Sequence, residues 1–155
     1  DITTTSSSGL ANATFTAGSG LLGIGYNVVI ENAKGGSGDD TIVGNSAANI
    51  LYGGAGATSI DNLTGGGGAD TFVYVLAESS TSTCDVITDF TNGTDLIGLE
   101  DRTFSDLTIS NVPNDGNGGS GTFIRDTASG KGVFFLQSVD ASLIDSNDFV
   151  VTDFV

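Results

Sequence analysis

The sequence predicts an all-β chain: a parallel β-roll of nine-residue repeats, continued by an antiparallel β cap. Three observations carry this. The stretch from Gly35 to Val73 keeps a nine-residue frame and holds eleven of the chain's 24 glycines. Within that frame an acidic residue stands two positions before a large apolar one, which reads as a turn followed by a very short strand. Beyond Leu99 the frame is lost, and short aromatic and β-branched runs alternate with turn residues.

The rows are GGSGDDTIV (Gly35–Val43), GNSAANILY (Gly44–Tyr52), GGAGATSIDNLT (Gly53–Thr64) and GGGGADTFV (Gly65–Val73). The first and last fit the nonapeptide G-G-x-G-x-D-x-U-x, a β-helix repeat whose turn binds calcium. In the second, Ala47 replaces a glycine and Asn49 takes the acidic slot, keeping a carbonyl oxygen but no charge. The third carries three extra residues. Either Thr58 and Ile60 fill its acidic and apolar slots, or Thr58-Ser59-Ile60 is a bulge and Asp61 and Leu63 fill them. The second register is preferred, because Asp61 then stands nine residues before Asp70 and Leu63 nine before Phe72. Upstream, Glu31 lies nine residues before Asp40, a weaker echo of the frame.

Each residue type has a physical reason to be there. A turn that aims several carbonyl oxygens at one point needs positive φ, which glycine adopts without strain. Calcium takes 6–8 oxygens from carboxylates and carbonyls. One carboxylate per turn is too few, so turns must stack. The inward residues Ile42, Leu51, Leu63 and Phe72 impose the same requirement, since one row cannot bury its apolar residue alone.

These rows resemble the repeats-in-toxin (RTX) family of calcium-binding β-rolls. With the lead-in phrase YNVVIENAK (Tyr26–Lys34), they resemble the C-terminal domains of serralysin-type secreted metalloproteases, over about Tyr26 to Leu99. The resemblance implies a right-handed roll in which alternate turns share a side and ions sit between them. Two or three Ca2+ ions are expected. The turn of Gly35, Gly36, Ser37, Gly38 and Asp40 would pair with that of Gly53, Gly54, Gly56 and Asp61. The turn of Gly44, Asn45, Ala47 and Asn49 would pair with that of Gly65, Gly66, Gly68 and Asp70. In DVITDFTNGTDLIGL (Asp85–Leu99), Asp85 and Asp89 either close a last calcium site, as the resemblance suggests, or are solvated strand and turn carboxylates. Asp95 reads as a turn residue. The resemblance also implies export by type I secretion machinery and an extracellular protein. The acidic-then-apolar end, Asp153-Phe154-Val155, is similar to that family's export signal, though shorter than its usual pattern, and reads equally as a final strand.

The chain divides into a lead-in (1–25), the roll (26–99) and the cap (100–155). The lead-in contains Gly18-Ser19-Gly20-Leu21-Leu22-Gly23, a literal G-x-G-x-x-G. Val28-Val29-Ile30 follows it where a dinucleotide site needs a helix, so a loop is expected. In the cap, strands are expected at Leu107–Ile109, Thr122–Arg125 and Val133–Gln137, with a loop over Asn111–Gly121. Such a cap covers the open end of a solenoid.

Composition narrows the function. Four basic residues against 19 acidic ones give a net charge of −15. Nucleic acids and anionic membranes need a basic patch and are poor partners. Bound divalent cations would relieve the self-repulsion that such a charge creates. Cys84 is alone, so no internal disulfide forms, and with no histidine in the chain it is read as a packed thiol. The absence of histidine also removes a zinc H-E-x-x-H site, a Ser-His-Asp triad and a Cys-His pair. No apolar run spans a bilayer. The chain starts at Asp1 with no signal peptide, which reads as an excised module or processed fragment.

The function expected is therefore a non-catalytic calcium-binding module of a secreted protein, folding on calcium after export, with a covalently preceding catalytic domain as a potential partner. Two alternatives stand beside it: a fragment of a serralysin-type protease lacking its catalytic domain, and a polysaccharide-binding module of an extracellular enzyme or adhesin. The second draws on the similar rolls that accompany alginate epimerases.

Overall fold

The computed structural model describes residues 10–14, 29–54, 59–75, 84–113 and 119–151, with backbone alone for 10–14 and 29–31. Through the repeats, the chain lays successive strands alternately into two sheets. The first sheet receives β1 (Leu10–Thr14), β2 (Val29–Lys34), β4 (Ile50–Tyr52), β6 (Thr71–Val75), β8 (Leu96–Glu100) and β12 (Phe149–Val151), in that spatial order. The second has the order β3 (Thr41–Asn45), β5 (Asn62–Gly66), β7 (Asp85–Ile87), β11 (Gly132–Gln137), β10 (Gly121–Asp126) and β9 (Leu107–Val112). Pairing through the repeats is parallel throughout. This is the β-roll expected from the nonapeptides.

The period-2 rule of strands places one apolar residue of each row inward. In the first sheet the inward row is Ala33, Leu51, Phe72, Ile97 and Phe149, aligned by strand register. In the second, Ile42, Leu63, Ile87 and Leu136 align in the same way. Phe72, Leu63, Ile87, Ile97 and Leu136 are completely buried. Each such side chain contributes about 1.5–3 kcal/mol relative to exposure. The third row takes the register with Asp61 and Leu63 in its acidic and apolar slots. Leu63 has no exposed surface, whereas Ile60 is 41% exposed. Residues 55–58, which include Gly56 and Thr58, lie outside the described set.

The two ends differ in detail from the expectation. Within the lead-in, β1 pairs parallel with β2. The cap is antiparallel only in part. β9, β10 and β11 form an antiparallel meander, but β11 joins β7 in parallel and β12 joins β8 in parallel. The cap therefore prolongs both sheets. Ile124, Val133, Phe134 and Ile144 continue the core between them. That arrangement satisfies the unpaired N–H and C=O groups of β7 and β8, which a cap merely resting on the core would leave open.

An ion pair between a half-buried arginine and a buried aspartate fastens the cap. The Asp126 carboxylate, fully buried, accepts from Arg102 Nε at 2.6 Å and from the backbone N–H of Ser129 at 2.7 Å. Burial pushes Asp126 upward, but the Ser129 hydroxyl and the Arg102 guanidinium outweigh it and hold the carboxyl at about 2. The Gly18–Gly23 phrase and Asp153 lie outside the described residues. β9 extends through Val112, so the loop expected from Asn111 begins later, and residues 114–118 within it are also outside the described set.

Candidate metal site

Every strand change needs a turn, and the alternation between sheets sorts the turns onto two sides. One side holds 35–40, 53–54 with 59–61, and Asp85. The other holds 44–49, 65–70 and 89–95. Turns that are neighbours in sequence are thus apart in space, and alternate turns stack. This brings Gly35–Asp40 against Gly53, Gly54 and Asp61, and Gly44–Asn49 against Gly65–Asp70.

On each side the acidic slots form a ladder. Asp40 N–H donates to Asp61 Oδ1 at 2.8 Å, and Asp61 N–H donates to Asp85 Oδ1 at 3.0 Å. On the other side Asn49 N–H donates to Asp70 Oδ1 at 2.8 Å, and Asp70 N–H to Asp95 Oδ1 at 3.0 Å. Three slot residues also close their own turns. Asp40 Oδ2 accepts from Gly36 N–H, Asn49 Oδ1 from Asn45 N–H and Asp95 Oδ2 from Thr91 N–H, at 2.7–2.8 Å. Asx side chains are short enough to bond a nearby backbone group in this way. Asn49, Asp61, Asp70 and Asp95 are all buried.

The glycines are required by the stacking. A Cβ on Gly35 would strike the Gly53 carbonyl oxygen, and one on Gly44 the Gly65 carbonyl oxygen. Gly66, at φ +95°, lies against the Asn45 carbonyl. Carbonyl oxygens and Asx oxygens therefore crowd into the space a side chain would fill.

The electrostatics are strained by like charge. Burial pushes Asp61 up to about 7, opposed by the Asp40 N–H and reinforced by the carboxylates of Asp85, Asp40 and Asp39. Burial likewise raises Asp70 to about 6, with Asp95 and Asp89 adding to it, and Asp85 to about 6. The Arg102–Asp126 ion pair lies in the cap and not among these acids. Burial also pushes the Cys84 thiol up to about 12, which makes it a poor nucleophile.

The oxygen-only donor set, the crowded carbonyls and the proton-loving carboxylates fit a hard divalent cation. Among the described residues no three His, Cys, Asp or Glu side chains converge on a point. The acids are instead spread one per turn, so a cation between stacked turns would take most of its oxygens from the backbone. Asp40 with Asp61, and Asn49 with Asp70, are the slot pairs that stacking brings together. Asp85 and Asp89 are not brought to one site. Asp85 extends the Asp40–Asp61 ladder, whereas Asp89 lies on the opposite side and accepts from Gly65 and Gly66 N–H, both at 2.8 Å.

Two acids escaped the sequence reading. Asp95 occupies a slot and is 4% exposed. Its signal was present, since Asp95-Leu96-Ile97 repeats the acidic–x–apolar order of Asp40-Thr41-Ile42. Asp148, 2% exposed, accepts from Asp145 N–H at 2.9 Å and meets Gly93 N–H at 3.4 Å, closing the end of the same side. Nothing in the repeat frame points to it.

Fold and turns together define a parallel β-roll module with stacked acidic, glycine-rich turns. The comparisons name the family. The family model described as Peptidase M10 serralysin C terminal matches residues 8–118, and the chain belongs to that family. That family is a C-terminal, non-catalytic domain, of a generally calcium-binding β-roll type. Among the solved structures that match is the AlgE6R3 subunit of the Azotobacter vinelandii mannuronan C5-epimerase, at 25% identity and a TM-score of 0.51, covering 74% of this chain and 78% of that one. No curated protein matches the chain.

Proposed function

We propose that the chain is a non-catalytic calcium-binding module of a secreted, extracellular protein, exported by type I machinery and folded by calcium afterwards. The observation that carries this reading is the pair of carboxylate ladders. Acids are stacked turn on turn against crowded carbonyls, and burial raises the proton affinity of Asp61, Asp70 and Asp85. Protons or a divalent cation must neutralise them, and at neutral pH calcium is the better match to an all-oxygen cradle. Asp40, Asp61 and Asp85 with the carbonyls of 35–38 and 53–54 would hold ions on one side. Asn49, Asp70 and Asp95 with those of 44–47 and 65–68 would do so on the other.

Coupling to folding follows from the same geometry. The unfolded chain has no stacked turns, so calcium binds the folded state alone and its binding free energy stabilises the fold. Low calcium would leave the chain largely unfolded and suited to export, and high calcium outside would fold it. Membership of the serralysin C-terminal family and the epimerase subunit's similar fold support an extracellular setting.

Circular dichroism during a calcium titration tests the reading. The β signal should rise with calcium and be lost on adding chelator. A spectrum indifferent to both would overturn it.

A further inference from the structure

β9 is the last strand of the second sheet, and its outer edge is open. It pairs antiparallel with β10 without a break in register. The Thr127 N–H donates to the Asp106 carbonyl at 2.8 Å, so 106 and 127 form a hydrogen-bonded pair. The alternation of an antiparallel ladder then turns the backbone groups of Thr108, Ser110 and Val112 toward β10, and those of Leu107, Ile109 and Asn111 away from it. The Leu107 N–H accordingly bonds the Phe104 carbonyl in the preceding helical turn. The other outward groups, the N–H of Ile109 and Asn111 and the carbonyls of Leu107, Ile109 and Asn111, have no backbone partner among the described residues. Natural edge strands are blunted by charges, proline or bulges. The segment LTISNV has none of them. Thr108, Ser110 and Asn111 are exposed, and Ile109 is only partly buried against the core.

We propose that this edge pairs with the same edge of a second copy of the chain, joining the two second sheets across a twofold axis at Ile109. The outward groups are their own complement about that residue, as an isologous contact requires. Ile109 would exchange both of its backbone bonds with Ile109 of the second copy, and each Asn111 N–H would donate to the Leu107 carbonyl opposite. In that register Ile109 packs on its own copy, and Thr108 faces Ser110, a hydroxyl pair that adjacent strands favour. Leu143 adds apolar surface beside the edge. It is 53% exposed on the turn that the Ala141 N–H ties to Asn111 Oδ1 at 2.8 Å. Charge also selects a copy as the occupant. A basic partner would find no acid on this strand, although the chain carries −15 overall. Repulsion between copies comes from the rest of the surface, where salt screens it. A contact of one strand edge is small, so the association is reversible and depends on concentration. It uses none of the cation turns and stands apart from the calcium reading.

Sedimentation equilibrium of the full chain with calcium present tests this. A monomer–dimer equilibrium is expected, shifted toward dimer by added salt. Amide hydrogen exchange reads the register without any variant. Exchange at Ile109 and Asn111 should slow as protein concentration rises, while Thr108 and Ser110, already bonded to β10, should not change. Thr108→Lys combined with Ser110→Lys sets lysines against one another across the axis. It should weaken dimerisation about tenfold or more, even though it lowers the net charge. Should circular dichroism show that this variant is misfolded, Ile109→Pro replaces it, since proline there removes a donor that β10 does not use. Val151→Lys, at a 64% exposed position on the edge of the first sheet, should leave the equilibrium unchanged. A monomer at every concentration and salt, a dimer indifferent to the β9 variants or abolished by Val151→Lys, or slowed exchange at Thr108 and Ser110 in place of Ile109 overturns the proposal.

Discussion

Asp61 Oδ1 accepts the backbone N–H of Asp40 at 2.8 Å, 21 residues away in sequence and one coil away in space. The same bond recurs at Asp61–Asp85, Asn49–Asp70 and Asp70–Asp95. Each slot residue thus ties its turn to the coil before it. The acids would serve the fold twice, as backbone acceptors and as cation ligands.

Position along the nonapeptide should decide the cost of losing an acid. Asp70→Ala leaves the buried Asn49 N–H unsatisfied, which costs about 1–3 kcal/mol even before calcium is considered. Asp39 is exposed, and its carboxylate accepts from Ile60 N–H at 3.0 Å. Asp39→Ala should stay within about 0.5 kcal/mol. Denaturant unfolding at saturating calcium, with the calcium midpoint of each variant, separates the two. Equal losses would mean that the frame is wrongly registered.

The metal-free fold should favour mild acid. Asp61, Asp70 and Asp85 have folded pKa values of about 7, 6 and 6, above the ordinary 3.8. Between pH ~4 and ~7 the folded chain holds protons that the unfolded chain releases, so stability falls as pH rises through that window. Asp126, held at about 2, acts in the opposite sense, and its contribution is lost as pH drops below ~4. In chelator the residual β signal in circular dichroism should therefore be larger near pH 5 than near pH 8. Calcium must displace those protons, so its affinity should weaken below pH ~6 and binding should release protons. A β signal in chelator that climbs steadily from pH 5 to 8 would contradict this.

Backbone conformation should make Gly66 intolerant of a side chain. Its φ is +95° and a Cβ would strike the Asn45 carbonyl oxygen. Gly66→Ala should cost about 1–3 kcal/mol from the conformation alone, and raise the calcium concentration needed for folding. Gly130, also at positive φ but with open space around it, is the comparison, since its alanine variant pays for conformation without the clash. The shift in calcium midpoint should be confined to Gly66→Ala.

The Arg102–Asp126 pair should be a one-sided dependency. Arg102→Ala strands a fully buried carboxylate, and the thermal midpoint should fall by several degrees at pH 7. Lowering the pH toward 3 should shrink the gap between variant and parent, because protonation removes the stranded charge. A constant gap across that range would show that packing, and not charge, is what the substitution removes.

A great deal of this molecule was legible in its repeats. The nine-residue frame required a stack of coils, because neither one apolar residue per row nor one acid per turn suffices alone. Leu63 rather than Ile60 faces inward, as the spacing to Phe72 favoured. The Asp95 slot was legible too, but the turn before it, Asp89–Thr94, lacks the glycine frame, so local turn chemistry hid it. Asp148 was not legible, since its role arises from a strand 49 residues beyond Glu100 in the numbering returning to the first sheet.

What the sequence alone determined is the roll, its inward residues and its acidic, glycine-lined turns, because periodic local pattern dictates them. What the tertiary structure decided is which carboxylates meet. Asp85 joins Asp61 while Asp89 faces Gly65, because a single short strand, β7, carries the chain from one side of the roll to the other. The way the cap extends both sheets, and the place of β9 at the edge of the second, were also tertiary outcomes. Strand order and register set them, and these depend on how distant segments satisfy one another's backbone hydrogen bonds.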